Sequence, residues 1–179
     1  MRVKSIFIEK STGSSRDGTW QESLDLSGGV DRFVVGLGPG SFAGIRAALS
    51  FAIGYAIGHP NCEVLGLPSA CALVEDESPL AVIGDARRGM FWIALFDGFK
   101  LATPIFQVGK EDLEKRIPQS VNVVTPDGER IGETLKEIFS ARYLGDRKPT
   151  AAGLERFALH NPSSLIKEPL PIYLNPAVR

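Results

Sequence analysis

From Phe42 to Ile57 the chain runs sixteen residues with one charge, Arg46, and is entered through Gly36-Leu37-Gly38-Pro39-Gly40-Ser41. A bilayer span needs ~20 residues, so this run is too short to cross one and reads as a helix buried against protein. Gly58 and Pro60 stop it, glycine at the C-terminal boundary and proline just beyond. At 3.6 residues per turn Phe42, Ile45, Leu49 and Ile53 share one side, and Gly44, Ala47, Ala48, Phe51 and Tyr55 the other. Both sides are apolar. Such a helix lies either deep inside its own domain or between its core and another chain. Gly44, Ala47, Ala48 and Gly54 permit close approach of a second backbone, which favours the intermolecular alternative.

The elements around it alternate. Strands are expected over Val3–Ile8, Trp20–Leu26, Arg32–Val35, Glu63–Leu67, Leu80–Ile83, Met90–Phe96 and Val121–Val124. Helical periodicity covers Glu111–Ile117, Gly132–Ser140 and Ala151–His160, and Pro68 opens a short helix through Leu73. Asp97-Gly98 marks a hairpin turn. Strands that alternate with helices predict an α/β protein with a mixed sheet covered by helices. A first lobe is expected over 1–78 and a second over 79–179. The tail from Pro169 is broken by prolines and reads as extended.

Composition limits the function classes. With 20 Lys+Arg against 21 Asp+Glu, the net charge of −1 opposes a protein that holds nucleic acid alone. Cys62 and Cys71 are too few for a disulfide framework or a cysteine-rich zinc site and read as reduced, buried thiols. The N-terminal residues read as the start of a strand rather than a signal peptide, and no membrane segment is expected.

Candidate chemistry concentrates in the glycine segment. Glycines let a backbone approach closely, and a following helix N-terminus offers free N–H groups to an anion, so Gly38, Gly40 and Ser41 are candidate phosphate contacts. Against this, the segment lacks the Lys of a Walker A loop, Ser41 stands where a dinucleotide fingerprint has its third glycine, and Pro39 removes a donor. The competing reading is a tight turn with Ser41 as helix cap. Asp85, in Gly84-Asp85-Ala86-Arg87-Arg88-Gly89 between two strands, is either a ligand-holding acid or a turn residue in a surface ion pair. His59 and His160 stand alone, so no metal or cofactor is expected, and no nucleophile–base pair supports a peptidase.

Gly36 to Arg46 resembles the Gly-x-Gly-Pro-Gly-Ser-Phe-Thr-Gly-x-Arg signature of the bacterial TsaB (YeaZ) family. Leu65-Gly66-Leu67-Pro68-Ser69, Asp85 to Trp92 and Pro171-Ile172-Tyr173-Leu174 are similar to later segments of that family, in order. The resemblance implies an actin-like, RNase H-like (ASKHA) two-lobed fold. It implies a non-catalytic cytoplasmic subunit in the synthesis of N6-threonylcarbamoyladenosine at tRNA position 37. The implied partners are the metal-bearing TsaD threonylcarbamoyltransferase and the TsaE ATPase, with a homodimer when alone and tRNA met only through the complex. The partner-binding residues implied on the helix are Arg46, Ala47, Ala48, Ser50, Phe51, Gly54 and Tyr55. The runner-up is an ATP- or phosphate-binding, kinase-like transferase using the Gly36–Ser41 loop and Asp85. The sequence departs from the family at Lys10, where a small residue is usual, and at Asn175, where Arg is usual. Only about two dozen residues lie between Ile8 and Phe33, where the family fits two strands and a helix. Without that helix, either Phe51 and Tyr55 meet a partner directly, or the dimer geometry differs, or the pairing does.

Overall fold

A computed structural model describes residues 4–12 and 24–174. The chain forms two compact units, Met1–Ala72 with Pro149–Tyr173, and Leu73–Lys148 with Leu174–Arg179. Pro149–Tyr173, expected in the second lobe, therefore belongs to the first unit.

The first unit is built on three parallel strands in the order β1 (Ser5–Ile8), β2 (Arg32–Gly36), β3 (Glu63–Leu67). Ile6 pairs with Phe33, and Phe33 with Val64. Phe33, Val34 and Val35 have no solvent exposure, which explains why this strand reads as an unbroken apolar run: a middle parallel strand is covered on both faces. α1 (Phe42–Gly58) is the crossover from β2 to β3 and packs Ile45, Ala48, Leu49 and Ala52 into a core with Ile8, Phe33, Val35 and Leu37. The outer edge of β3 is closed by two hydrogen bonds of 2.9 Å between Gly66 and Ile166. α4 (Ala151–His160) is capped by Thr150, whose hydroxyl accepts the Gly153 N–H at 3.0 Å. It lies so close to the preceding chain that a Cβ at Gly153 would overlap the Ala72 carbonyl oxygen, and it buries Leu154 and Phe157 completely.

The second unit is a mixed sheet. β4 (Leu80–Arg87) pairs antiparallel with β5 (Met90–Asp97) and parallel with β8 (Asn122–Thr125), which pairs in turn with β9 (Tyr143–Asp146). The other side of β5 carries β6 (Lys100–Leu101) and β7 (Phe106–Gly109) in succession. α2 (Lys110–Leu113) and α3 (Gly128–Phe139) supply Leu113, Ile131, Leu135 and Phe139 to its core.

Most expected elements are present with shifted ends. α3 starts four residues earlier than the periodicity suggests, the short Pro68 helix is a 3-10 segment over Ser69–Leu73, and the β5–β6 turn is Gly98-Phe99, with Gly98 at φ +55°. Three corrections matter more. β7 and β9 were not expected at all. Asp85 is not in a turn: β4 continues through it to Arg87. Of the strand expected over Trp20–Leu26, residues 24–26 are not extended into a sheet, and the rest lies outside the described residues.

Candidate partner-binding site

The glycine segment connects β2 to α1 and spends its hydrogen-bonding groups inside its own unit. Leu37 N–H donates to the Leu67 carbonyl at 2.8 Å, and Gly38 N–H donates to the Ser69 hydroxyl at 2.9 Å. The Gly38 carbonyl accepts from Ser69 N–H at 2.8 Å, and the Ser41 N–H donates to the Ser11 carbonyl. Gly38, at φ +91°, occupies a conformation that a side chain would strain. A Cβ at Gly40 would overlap the Ser11 carbonyl, and one at Gly44 the Lys10 carbonyl. The turn after β1 therefore occupies the space that an anion on this helix N-terminus would need. Ser41 caps α1 by accepting the Gly44 N–H at 3.3 Å. Gly38, Gly40 and Ser41 thus act as a packed turn and a cap, and the phosphate reading of these residues is set aside for that geometric reason.

Under the same turn lies Glu9. Its Oε1 accepts the Ser11 N–H at 2.6 Å, and its Oε2 is out of solvent with no hydrogen-bond partner among the described residues. A Cβ at Gly36 would overlap that oxygen, so the glycine makes room for the carboxyl. Burial raises the Glu9 pKa above its ordinary value, against lowering contributions from Ser11, Ser69 and the Lys10 backbone.

Asp85 belongs to the second unit and is held by its own neighbours. Its Oδ1 accepts the Arg87 N–H at 2.7 Å, and its Oδ2 lies 3.3 Å from Arg87 and 3.4 Å from Arg130. Its N–H donates to Asp127 Oδ2 at 2.9 Å, and Asp127 also pairs with Arg130. These contacts fasten the β4–β5 hairpin, where Arg87, Arg88 and Gly89 all have positive φ. Among the described residues no group of three or more His, Cys, Asp or Glu could hold a metal ion.

α1 is different because most of one face is left uncovered by the described residues. Phe42, Ala43, Arg46, Ala47, Ser50, Ile53, Gly54 and Ile57 are exposed, and Ile57 is 81% exposed. A Cβ at Gly54 would meet no atom within 4 Å. Ala43, Ala47, Ser50, Gly54 and Ile57 follow a 4-3-4-3 spacing, the seam along which two helices pack closely.

Arg46, Ala47, Ser50 and Gly54 of the expected partner-binding set lie on this face. The other three do not. Ala48 is completely buried, and Phe51 and Tyr55 turn edge-on to Phe33, with ring centroids at 5.9 and 5.2 Å. The two large rings pack over β2 with Ala48 and Ala52, while Ala43, Ala47 and Ser50 stay outside. Phe42, Ala43, Ile53 and Ile57 complete the exposed face and stand outside the expected set; Ala43 and Ile57 could have been read from the 4-3-4-3 spacing.

Tyr173 was missed as well. The extended tail runs past the glycine segment, with Ile172 N–H donating to the Leu37 carbonyl at 2.8 Å, and brings Tyr173 to the first turns of α1. Its ring lies 5.3 Å from that of Phe42, and its hydroxyl accepts from Arg46 Nε at 3.2 Å. The Arg46 guanidinium also sits 4.0 Å over the Phe42 ring.

No protein-family model matches the sequence, and no curated protein does. Solved structures do. A crystal structure described as an uncharacterized protein with similarity to peptidase YeaZ, from Pseudomonas aeruginosa, matches with a TM-score of 0.66 at 20% identity, over 88% of this chain and 79% of that one. YeaZ from Pseudomonas aeruginosa matches with a TM-score of 0.62 at 22% identity, over 86% and 79%. The chain therefore shares its fold, mixed α/β with two sheets, with these YeaZ-like structures. No helix among the described residues is long and apolar enough to cross a membrane.

Proposed function

We propose that this chain is a TsaB-like, non-catalytic subunit of the machinery that makes threonylcarbamoyladenosine on tRNA. It pairs through α1 with a TsaD-like threonylcarbamoyltransferase in the cytoplasm. A TsaE-like ATPase joins the pair, tRNA is met only through the assembly, and a second copy occupies the face when the transferase is absent. The observation that carries this reading is the bare α1 face, in a fold like that of YeaZ and on a chain whose signature residues resemble TsaB. A 17-residue helix with one charge keeps Ala43, Ala47, Ser50, Ile53, Gly54 and Ile57 in solvent. Burial of apolar surface at about 25 cal/mol per Å² would favour covering it. The kinase-like alternative loses support, because the Leu37, Gly38 and Ser41 N–H groups of the glycine segment are occupied and Asp85 braces a hairpin.

The test is co-purification with the TsaD-like subunit from the same cell. Wild type should bring it down, and Ala47→Glu, which places an unpaired charge within the seam without touching the core, should not. Retention of the complex by Ala47→Glu, or its absence from the wild type, would refute the assignment.

A further inference from the structure

We infer that the protein covering α1 presents a carboxylate to Arg46, and that this pairing favours a heterologous partner over a second copy of α1. The inference rests on the reading of α1 as the pairing face and adds the chemistry of the partner.

Arg46 is the single charge on α1 and is exposed near one end of an otherwise apolar face. Its guanidinium is already positioned: the plane rests on Phe42 and Nε donates to the Tyr173 hydroxyl. Among the described residues the end carrying the two terminal amino groups has no hydrogen-bond partner, and no carboxylate lies within 4 Å of it. That end is the one that meets a carboxylate through two parallel hydrogen bonds. Covering the face with apolar surface alone would strip water from an unpaired cation, which a stable interface avoids. A second copy of α1 cannot supply the missing anion, because the helix contains no Asp or Glu. Two aromatic rings that fix the fork before binding also lower the ordering cost, and Arg and Tyr are the residue types that most often dominate interfaces.

Titration calorimetry of the TsaD-like transferase against wild type, Arg46→Gln, Arg46→Lys and Tyr173→Phe, at low and high salt, tests this. Sedimentation of each variant alone supplies the self-association. Arg46→Gln should weaken transferase binding by about 30-fold or more and flatten its salt dependence, since truncating one half of a desolvated pair leaves the other unpaired. Self-association should be unchanged or tighter. Arg46→Lys should recover part of the loss, and Tyr173→Phe should show a smaller one. A transferase affinity for Arg46→Gln within about twofold of wild type would overturn the inference and leave the pairing reading standing. Equal weakening of self-association and transferase binding would also overturn it. Failure of wild type to bind the transferase at all would overturn the pairing reading, and this inference with it.

Discussion

Gly54 lies in the interior of α1, where glycine costs about 1 kcal/mol relative to alanine because its backbone has more freedom to lose. Nothing in the described structure repays that cost: an added methyl would meet no atom within 4 Å. Gly54→Ala should therefore stabilise the isolated protein by about 1 kcal/mol, a rise in Tm of roughly 2–4 °C for a chain of this size. Gly44 is the matched control on the same helix. There a Cβ would overlap the Lys10 carbonyl, so Gly44→Ala must push the β1 turn off the helix and should destabilise, despite the same gain in propensity. Urea denaturation of both variants, followed by helix circular dichroism, separates the two. If Gly54→Ala destabilised the isolated chain as Gly44→Ala does, the face would be covered from within, and its availability to another protein would be refuted.

Glu9 has a folded pKa raised above its ordinary 4.5 by burial, so the folded state binds the proton more tightly than the unfolded state. Its contribution to stability is complete below about pH 4.5 and is lost as pH rises through the folded pKa. Glu9→Gln, which keeps an acceptor for the Ser11 N–H, should remove that decline and raise stability at pH 8; parallel wild-type and variant profiles would contradict the burial argument. Ser69→Ala removes the acceptor of the Gly38 N–H and should cost about 1–3 kcal/mol, read by the same denaturation. Burial pushes the Cys71 thiol far above the ordinary cysteine range, so a disulfide reagent at pH 8 should modify it only at the rate of unfolding, and immediate labelling would contradict its place in the core.

The parts of the fold that could be read in advance are those set by local chemistry. β2 is recognisable because a middle parallel strand needs apolar residues on both faces, and α1 because Ser41 caps one end while Gly58 and Pro60 close the other. What could not be read depends on partners distant in sequence. Gly84 looks like a turn residue, yet it lies within β4 opposite Trp92, whose ring fills the space a Cβ would take. β7 and β9 have four residues each and exist as strands because β5 and β8 offer them edges. The glycine segment showed a backbone able to approach an anion; that the Lys10–Ser11 turn fills the space follows only from the fold. On α1 the composition showed an apolar helix with small residues, but which side faces solvent was decided by Phe33, which draws Phe51 and Tyr55 inward.

The most direct measurement follows one introduced thiol at the middle of the seam. Ser50→Cys places it on the exposed face, and the native thiols of Cys62 and Cys71 are buried. The labelling rate is then compared for the protein alone and with the TsaD-like transferase. The account predicts rapid labelling of the free protein and at least roughly tenfold slower labelling in the complex, as expected where an interface core excludes water. A complex that forms while the thiol labels at its free rate would show that α1 is not the surface through which this protein is held.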